Sequence, residues 1–301
     1  MTEFQSRLSK FKNLIRFLKL FAMSPMENIT TASRIYAVFI LFMLIFAYGY
    51  EMQGRIATNF YQQLRPTTRT NVVGTINTTI LVISNVVITL VPICSNNRIK
   101  LDLLKELDYI DNIFSKRTQT KSFTKWFYLH VIILNLYYFG LLLEAIIMWV
   151  FIDGENTNLL MLYYGDDIFR YRISMFMIYV YYFLRELCNE LVSIHRVLIN
   201  GFDQVSLDDQ GLEEVILDLQ RMIKNVSEFY ASFKQIIDYF NGLFGWQLLF
   251  VLLNYIVFFT LMYEMTLHLM AYKMDNITNH MILWTVSCMI YALVCIYWWF
   301  Y

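Results

Sequence analysis

The sequence predicts an all-α fold, a polytopic bundle of transmembrane helices, and three observations support this prediction. Of the 301 residues, 58% are hydrophobic and 16% are charged, whereas a soluble domain has about 25% charged residues. The mean hydropathy of +0.46 is more than one soluble core of this size could hide. In addition, six apolar runs approach the roughly 20 residues that a helix needs to cross a bilayer.

Each of the six runs is apolar all round, which is typical of a spanning helix rather than of a helix lying on a membrane surface. The first and fourth runs are short, and flanking Tyr and Arg side chains can extend them by reaching toward the interface. The predicted spans, in chain order, are 35–50, 75–94, 126–152, 173–187, 243–263 and 281–301.

The distribution of Lys and Arg between the loops predicts a multi-pass membrane protein with a cytosolic N-terminus. With six spans, this orientation places 18 basic residues in the cytosol and six outside, as the positive-inside rule favours. The predicted organisation is a cytosolic tail over 1–34, spans one to four over 35–187, a cytosolic helical segment over 188–242, and spans five and six over 243–301.

The segment between spans four and five carries a helical pattern of its own. Apolar residues recur in steps of three and four, which indicates an amphipathic or coiled-coil-like helix that continues into span five. Span four is expected to continue in the same way until Gly201 ends it. We expect these two helices to pack on one another, on the 101–121 segment and on neighbouring subunits. The apolar positions are Val215, Leu219, Met222, Val226, Phe229, Phe233, Ile236 and Phe240.

The sequence contains no pattern for catalysis, and we expect neither an enzyme nor a bound cofactor or metal. The four histidines lack metal-ligand spacing, and no phosphate loop, nucleophile elbow or dinucleotide fingerprint occurs. The four cysteines form no CxxC pair and are interpreted as packing residues. With 24 basic and 24 acidic residues, nucleic acid is not an expected partner. Asn276, in a predicted outer loop, is the candidate glycosylation site.

Polar and aromatic side chains in the outer halves of the spans predict a small-molecule site. Such a site needs an apolar cavity with a few convergent polar groups, and an ionisable residue within a span is a functional candidate by default. Glu144 is such a residue, and its alternative role is structural, as a partner of Arg172 or of a nearby Asn or Ser. The abundant aromatic residues can equally serve packing. The candidate ligand-binding residues are Glu144, Tyr179, Tyr255, Trp284 and Tyr291.

The beginning of span five resembles a known family. Residues 241–249 read Asn-Gly-Leu-Phe-Gly-Trp-Gln-Leu-Leu, which is similar to the Asn-x-x-Phe-Gly-x-x-Leu-Leu stretch that opens the fifth span of insect gustatory receptors. The cytosolic N-terminus, the long cytosolic segment after span four and the high Tyr and Phe content resemble that family as well. The resemblance in layout covers essentially the whole chain, and the resemblance in motif covers these residues alone.

The resemblance implies a subunit of a ligand-gated cation channel that senses small-molecule tastants and forms a homo- or hetero-tetramer in the lipid bilayer. It also implies a seventh, pore-lining helix with a Thr-Tyr-x5-Gln-Phe signature. The sequence lacks this signature, so we expect the chain to be incomplete and not to conduct by itself. The alternatives are an odorant receptor of the same superfamily or, from other classes, a polytopic membrane enzyme or a transporter.

Overall fold

The computed structural model describes residues 18–19, 22–23, 30–57, 68–95, 97–114, 124–152, 157–203 and 212–271. The regular secondary structure of these residues is entirely α-helical, which confirms the predicted class. The six helices are α1 (Thr31–Ala57), α2 (Thr68–Cys94), α3 (Asn97–Phe114), α4 (Thr124–Ile152), α5 (Thr157–Asp203) and α6 (Leu212–Ala271).

Three of these helices are long and apolar enough to cross a membrane, over Thr31–Tyr50 in α1, Val72–Cys94 in α2 and Val226–Glu264 in α6. A shorter apolar stretch, Tyr128–Leu143, lies in α4. The first five predicted apolar runs all lie within helices. The sixth run, together with Asn276, lies outside the described residues. The number of spans and their orientation stay predictions.

Helix α1 presents large apolar side chains on its outer surface. Ile35, Phe42 and Phe46 are 67%, 66% and 63% exposed, and a water-soluble protein rarely leaves such a contiguous apolar surface uncovered. The helix begins where Thr30 Oγ1 accepts a hydrogen bond from the Ser33 backbone N–H at 3.2 Å, as an N-cap residue does. Lipid would cover the exposed apolar side chains of α1.

Side chains from the following segment satisfy the carboxyl end of α2. Ser95 Oγ and Lys100 Nζ both donate hydrogen bonds to the Pro92 carbonyl, at 2.9 and 3.1 Å. The last carbonyls of a helix have no partner within the helix, and a lysine there also complements the helix dipole. Lys100 therefore ties the first turn of α3 to the end of α2.

Helices α5 and α6 are much longer than a single membrane crossing. They contain 47 and 60 residues, or roughly 70 and 90 Å at 1.5 Å per residue. The prediction that the amphipathic segment continues into span five is confirmed, because α6 is unbroken. Helix α5 passes Gly201 and ends at Asp203, so the prediction that Gly201 ends it is wrong. A glycine within a helix costs about 1 kcal/mol, which a helix of this length can offset.

The chain divides into two compact units. The first unit comprises Met1–Arg34, Val91–Ile133 and Phe176–Trp246. The second unit comprises Ile35–Leu90, Leu134–Met175 and Gln247–Tyr301. The unit boundaries lie within α5 and α6, so each of these helices contributes one part to each unit.

In the second unit, α2 and α6 run antiparallel. Ser84 Oγ donates to the Phe250 carbonyl at 3.0 Å, and Gln247 Nε2 donates to the Ile88 carbonyl at 3.3 Å. The later residue on α2 thus contacts the earlier residue on α6. These two contacts also fix the register between the helices.

In the first unit, α6 packs through part of the predicted apolar stripe. Phe229, Ile236 and Phe240 are buried. Phe233 is half-buried, and its ring stacks on Phe229 with the centroids 6.0 Å apart. The prediction of an apolar packing face on this helix is confirmed for these residues.

Replacing Phe233 with aspartate is expected to destabilise the first unit by roughly 2 kcal/mol, because it places a charge against the buried Phe229 ring. We expect charges at Leu219 or Val226 to act in the same direction. The measurement is the melting temperature and particle size of the detergent-solubilised protein. Gln235→Asp, at an exposed position of α6, is the matched control. A wild-type melting temperature and particle size for Phe233→Asp would contradict the prediction.

Candidate functional site

The second unit contains a buried arginine, Arg172, on α5. Its side chain is only 2% exposed. Nη1 donates to Asn85 Oδ1 at 3.1 Å, and Nη2 donates to Thr89 Oγ1 at 2.8 Å. A buried guanidinium is very costly unless it is hydrogen-bonded, so these two bonds fix α5 against α2. We call Arg172, Asn85 and Thr89 the Arg172 network.

Asn85 uses both ends of its amide in this network. Its Nδ2 donates to the Leu81 carbonyl at 2.9 Å and to the Phe169 carbonyl at 3.2 Å, while its Oδ1 accepts from Arg172. The Thr89 hydroxyl donates to the Asn85 carbonyl at 2.9 Å. Such a connected polar network holds its members in one geometry, because losing one member leaves buried groups without partners.

A second polar row lies where α2 meets α6. Ser84 and Gln247 bridge the two helices as described above, and Asn77 and Asn254 are buried on the same helices, at 2% and 5% exposed. The oxygens Asn77 Oδ1, Gln247 Oε1 and Asn254 Oδ1 are buried and have no hydrogen-bond partner among the described residues. We call Asn77, Gln247 and Asn254 the amide row.

A third polar group lies on α5, shortly before Arg172. Arg170 pairs with Asp166 and Asp167 on the preceding turn, with nitrogen–oxygen distances of 3.7 and 3.9 Å. The Arg170 guanidinium carbon lies 4.6 Å from the centroid of the Phe258 ring. This cation–π contact links α5 to the apolar end of α6.

Helices α4 and α5 are joined by tyrosine hydroxyls. Tyr171 donates to Asn135 Oδ1 at 2.8 Å, and the hydroxyls of Tyr138 and Ser174 are hydrogen-bonded at 3.2 Å. The Tyr138 and Tyr171 rings also meet edge to face, with centroids 5.1 Å apart. In the second unit, α2, α4 and α6 are thus each connected to α5 by polar or charged side chains.

The first unit contains an aromatic cluster centred on Phe244, the phenylalanine of the 241–249 motif. Phe244 is fully buried. Its ring centroid lies 4.7 Å from that of Phe240, 6.1 Å from Phe183, 6.2 Å from Tyr179 and 6.3 Å from Phe176. Such pairs contribute about 0.5–1.5 kcal/mol each beyond burial. The cluster therefore holds α5 and α6 together in this unit.

Two polar pairs involve residues of α5 that neighbour Tyr179 and Phe183 in the sequence. His130 Nδ1 is hydrogen-bonded to the Tyr182 hydroxyl, and Arg185 Nη1 donates to the Tyr181 hydroxyl at 3.1 Å. Across the described residues, no three His, Cys, Asp or Glu side chains group as a metal site would. The His130–Tyr182 bond joins α4 to α5, whereas the Arg185–Tyr181 bond lies within α5.

The predicted ligand-binding residues are placed as follows. Tyr179 belongs to the aromatic cluster, and its buried hydroxyl has no hydrogen-bond partner among the described residues. Tyr255 is half-buried on α6 in the second unit. Glu144 lies in α4, but its side chain is outside the described part of the chain, as is the pairing predicted for it. Trp284 and Tyr291 also lie outside it, so this set stays a prediction.

Sequence reasoning missed five buried polar residues among those described in the second unit: Ser84, Thr89, Ser174, Gln247 and Asn254. A signal for three of them is present in the spacing. Ser84 follows Asn77 by one heptad, and Asn254 follows Gln247 by one heptad. Polar residues repeated at this interval lie on one face of a helix, which in an apolar helix indicates a polar contact with a neighbour.

No protein-family model, curated protein or solved structure matches this chain. The class that the structure itself defines is an all-helical protein with three helices, among the described residues, that could cross a membrane.

Lys100, beyond the carboxyl end of α2, is a charged group in a buried environment. It is 2% exposed. Burial lowers the pKa of its ammonium group to about 8, and repulsion from Arg34 contributes in the same direction. The group that caps α2 is therefore close to losing its charge in mildly alkaline solution.

Replacing Asn85 with leucine is expected to lower the free energy of unfolding by about 3 kcal/mol, because it leaves a buried charge short of an acceptor. Replacing Arg172 with methionine in the same chain should recover most of this loss, since no buried charge then remains. Chemical denaturation measures both. Thr79→Val, which removes a hydroxyl bonded to the Thr75 carbonyl within α2, is the control. Equal stabilities of Asn85→Leu and Thr79→Val would refute the role of the network.

The pKa of Lys100 predicts a pH dependence of stability. Between pH 8 and about 10.5 the unfolded chain binds a proton at this lysine that the folded chain does not, so stability contributed by this group rises with pH in that window. Melting temperatures of wild type and Lys100→Met from pH 7 to 10 measure it. The melting temperature of the wild type should rise with pH relative to that of Lys100→Met. The melting temperature of the exposed Lys105→Met control should change with pH as the wild type does. Parallel curves for Lys100→Met and wild type would disprove the prediction.

Proposed function

We propose that this chain is a subunit of a membrane chemoreceptor of the gustatory receptor type, a ligand-gated cation channel that senses small-molecule tastants at the plasma membrane. The observation that carries the proposal is the position of the 241–249 motif. Its phenylalanine, Phe244, lies at the centre of the aromatic cluster. The motif lies on a 60-residue helix that passes without a break from a charged amphipathic half to an apolar half.

In this proposal the chain crosses the membrane six times from a cytosolic N-terminus and assembles as a homo- or hetero-tetramer. The membrane-length stretches of α1, α2 and α6 support the crossing. The antiparallel contact of α2 with α6 is what alternating spans require, because the second span would run inward and the fifth outward. The amphipathic half of α6 would lie in the cytosol and contribute to subunit contacts.

The proposed ligand site comprises Glu144, Tyr179, Tyr255, Trp284 and Tyr291. Glu144 would accept a hydrogen bond from a ligand hydroxyl or amine, and the aromatic rings would stack on the apolar faces of the ligand. A ligand can open such a channel only if it binds the open arrangement more tightly than the closed one. The contacts of α5 with α2, α4 and α6 support this role, because they connect helices of the second unit through polar side chains.

An epitope tag at the N-terminus is expected to be detected in transfected cells only after permeabilisation, because the proposed orientation places it in the cytosol. Glycosidase should reduce the mass of the wild type, and Asn276→Gln should abolish that change. A tag that is stained in intact cells would contradict the orientation.

In cells where the chain is part of a conducting receptor complex, Glu144→Gln and Trp284→Ala are expected to shift the half-maximal tastant concentration about tenfold, the effect of losing one contact of about 1.4 kcal/mol. Surface expression, measured by biotinylation, should persist. Exposed Gln235→Ala on α6 is the control. An unchanged half-maximal concentration in both variants would remove these residues from the proposed site.

A further inference from the structure

The interface of α2 with α6 in the second unit is defined at three levels. At one end, Gln247 is bonded to the Ile88 carbonyl, and one turn further Ser84 is bonded to the Phe250 carbonyl. At the other end, Val73 packs against the apolar cluster of Phe258, Leu261 and Met262. The face of α2 that meets α6 therefore runs from Val73 through Ser84 to Ile88.

Asn77 and Asn254 lie on this interface, between the two ends. Asn77 is one turn from Val73 and two turns from Ser84 on the same face of α2. Asn254 is one turn beyond Phe250 on α6. With the Ser84–Phe250 contact as the reference, the two asparagines lie in adjacent layers, roughly 5 Å apart along the helix axes at 1.5 Å per residue.

The amide row contains hydrogen-bond acceptors that no described residue satisfies. Asn77, Gln247 and Asn254 are each at most 5% exposed, and each has a buried side-chain oxygen without a partner among the described residues. More than nine in ten buried polar groups in native proteins have a partner, counting ordered water. Lipid tails offer no donor, whereas molecules bound between the helices can supply one.

We propose that the amide row is a binding site for hydroxyl donors, either water or the hydroxyl groups of a small molecule, with Asn77 and Asn254 as its central acceptors. The three oxygens without partners among the described residues determine which ligands fit. Amide oxygens accept hydrogen bonds, so they bind a donor and do not bind an anion. A cation is disfavoured by the Arg172 charge, whose partner Asn85 directly follows Ser84 on α2. The site includes none of the residues proposed above for tastant binding and does not depend on that function.

The first test is the double variant Asn77→Leu with Asn254→Leu, compared with wild type and with Thr79→Val on α2. Leucine is similar in size to asparagine and has no polar atoms. If hydroxyl donors occupy the site, the double variant loses their hydrogen bonds, and its melting temperature falls by roughly 4 °C. If the oxygens stay unpaired in the native protein, leucine removes their desolvation penalty and the melting temperature rises. A rise would overturn the proposal.

A second measurement uses the unaltered protein, so the proposal can be tested even if the double variant does not fold. Hydroxyl-radical footprinting labels buried side chains next to bound water. Leu81 and Phe258, at 0% and 5% exposed, are the reporters on either side of the row. Labelling of both, without stabilisation by myo-inositol, identifies water as the donor.

Myo-inositol serves as a probe for hydroxylated small molecules. A higher melting temperature in myo-inositol for the wild type than for the double variant identifies a hydroxylated ligand, since a ligand stabilises only the state that binds it. If the double variant does not fold, a decrease in the labelling of Leu81 and Phe258 on addition of myo-inositol to the wild type also identifies a hydroxylated ligand. Protection of both reporters together with no specific effect of myo-inositol overturns the proposal.

Discussion

The hydrogen bonds of the buried Arg172 guanidinium impose the strongest constraint on the second unit. Because the charge is almost completely removed from solvent, its donors must meet acceptors, and Asn85 and Thr89 supply them from one face of α2. Turning α2 by one residue would move both acceptors about 100° away. The apolar contacts of these helices would tolerate such a rotation far better, so the polar network selects a single arrangement.

The two units differ in the side chains that hold their helices together. The first unit uses rings, and the cluster around Phe244 buries large surfaces with few polar atoms to satisfy. The second unit places amides, hydroxyls and two arginines between its helices, which is more costly and more specific. Helix α6 changes from one chemistry to the other along one continuous face, from Phe240 and Phe244 to Gln247 and Asn254. The change coincides with the motif, which ends at residue 249.

This difference bears on function, because a polar interior in an apolar bundle is where small polar molecules can be held. In the Arg172 network, Asn85 Oδ1 and Thr89 Oγ1 already accept hydrogen bonds from the guanidinium, so the network orients the helices and offers a ligand little. The amide row has three buried oxygens that accept no hydrogen bond from a described residue. Within the second unit, the two kinds of polar group therefore differ in one respect. The acceptor oxygens of the Arg172 network have donors, whereas those of the amide row have no donor among the described residues.

The sequence by itself determined the helical class, the apolar runs and the continuity of α6. It also determined the packing face through Phe229, Ile236 and Phe240. All of these depend on the spacing of residues within a single helix, which can be seen in a short window.

Only the tertiary structure decided which polar residues meet. Arg172 lies 87 residues from Asn85 and 83 from Thr89 in the sequence, and Gln247 lies 159 residues from Ile88. Helical periodicity places each of these side chains on a face, but it does not say which helix that face contacts. The same limit applies to Glu144, whose pairing with Arg172 stays a prediction, because charge and periodicity do not say which helices meet.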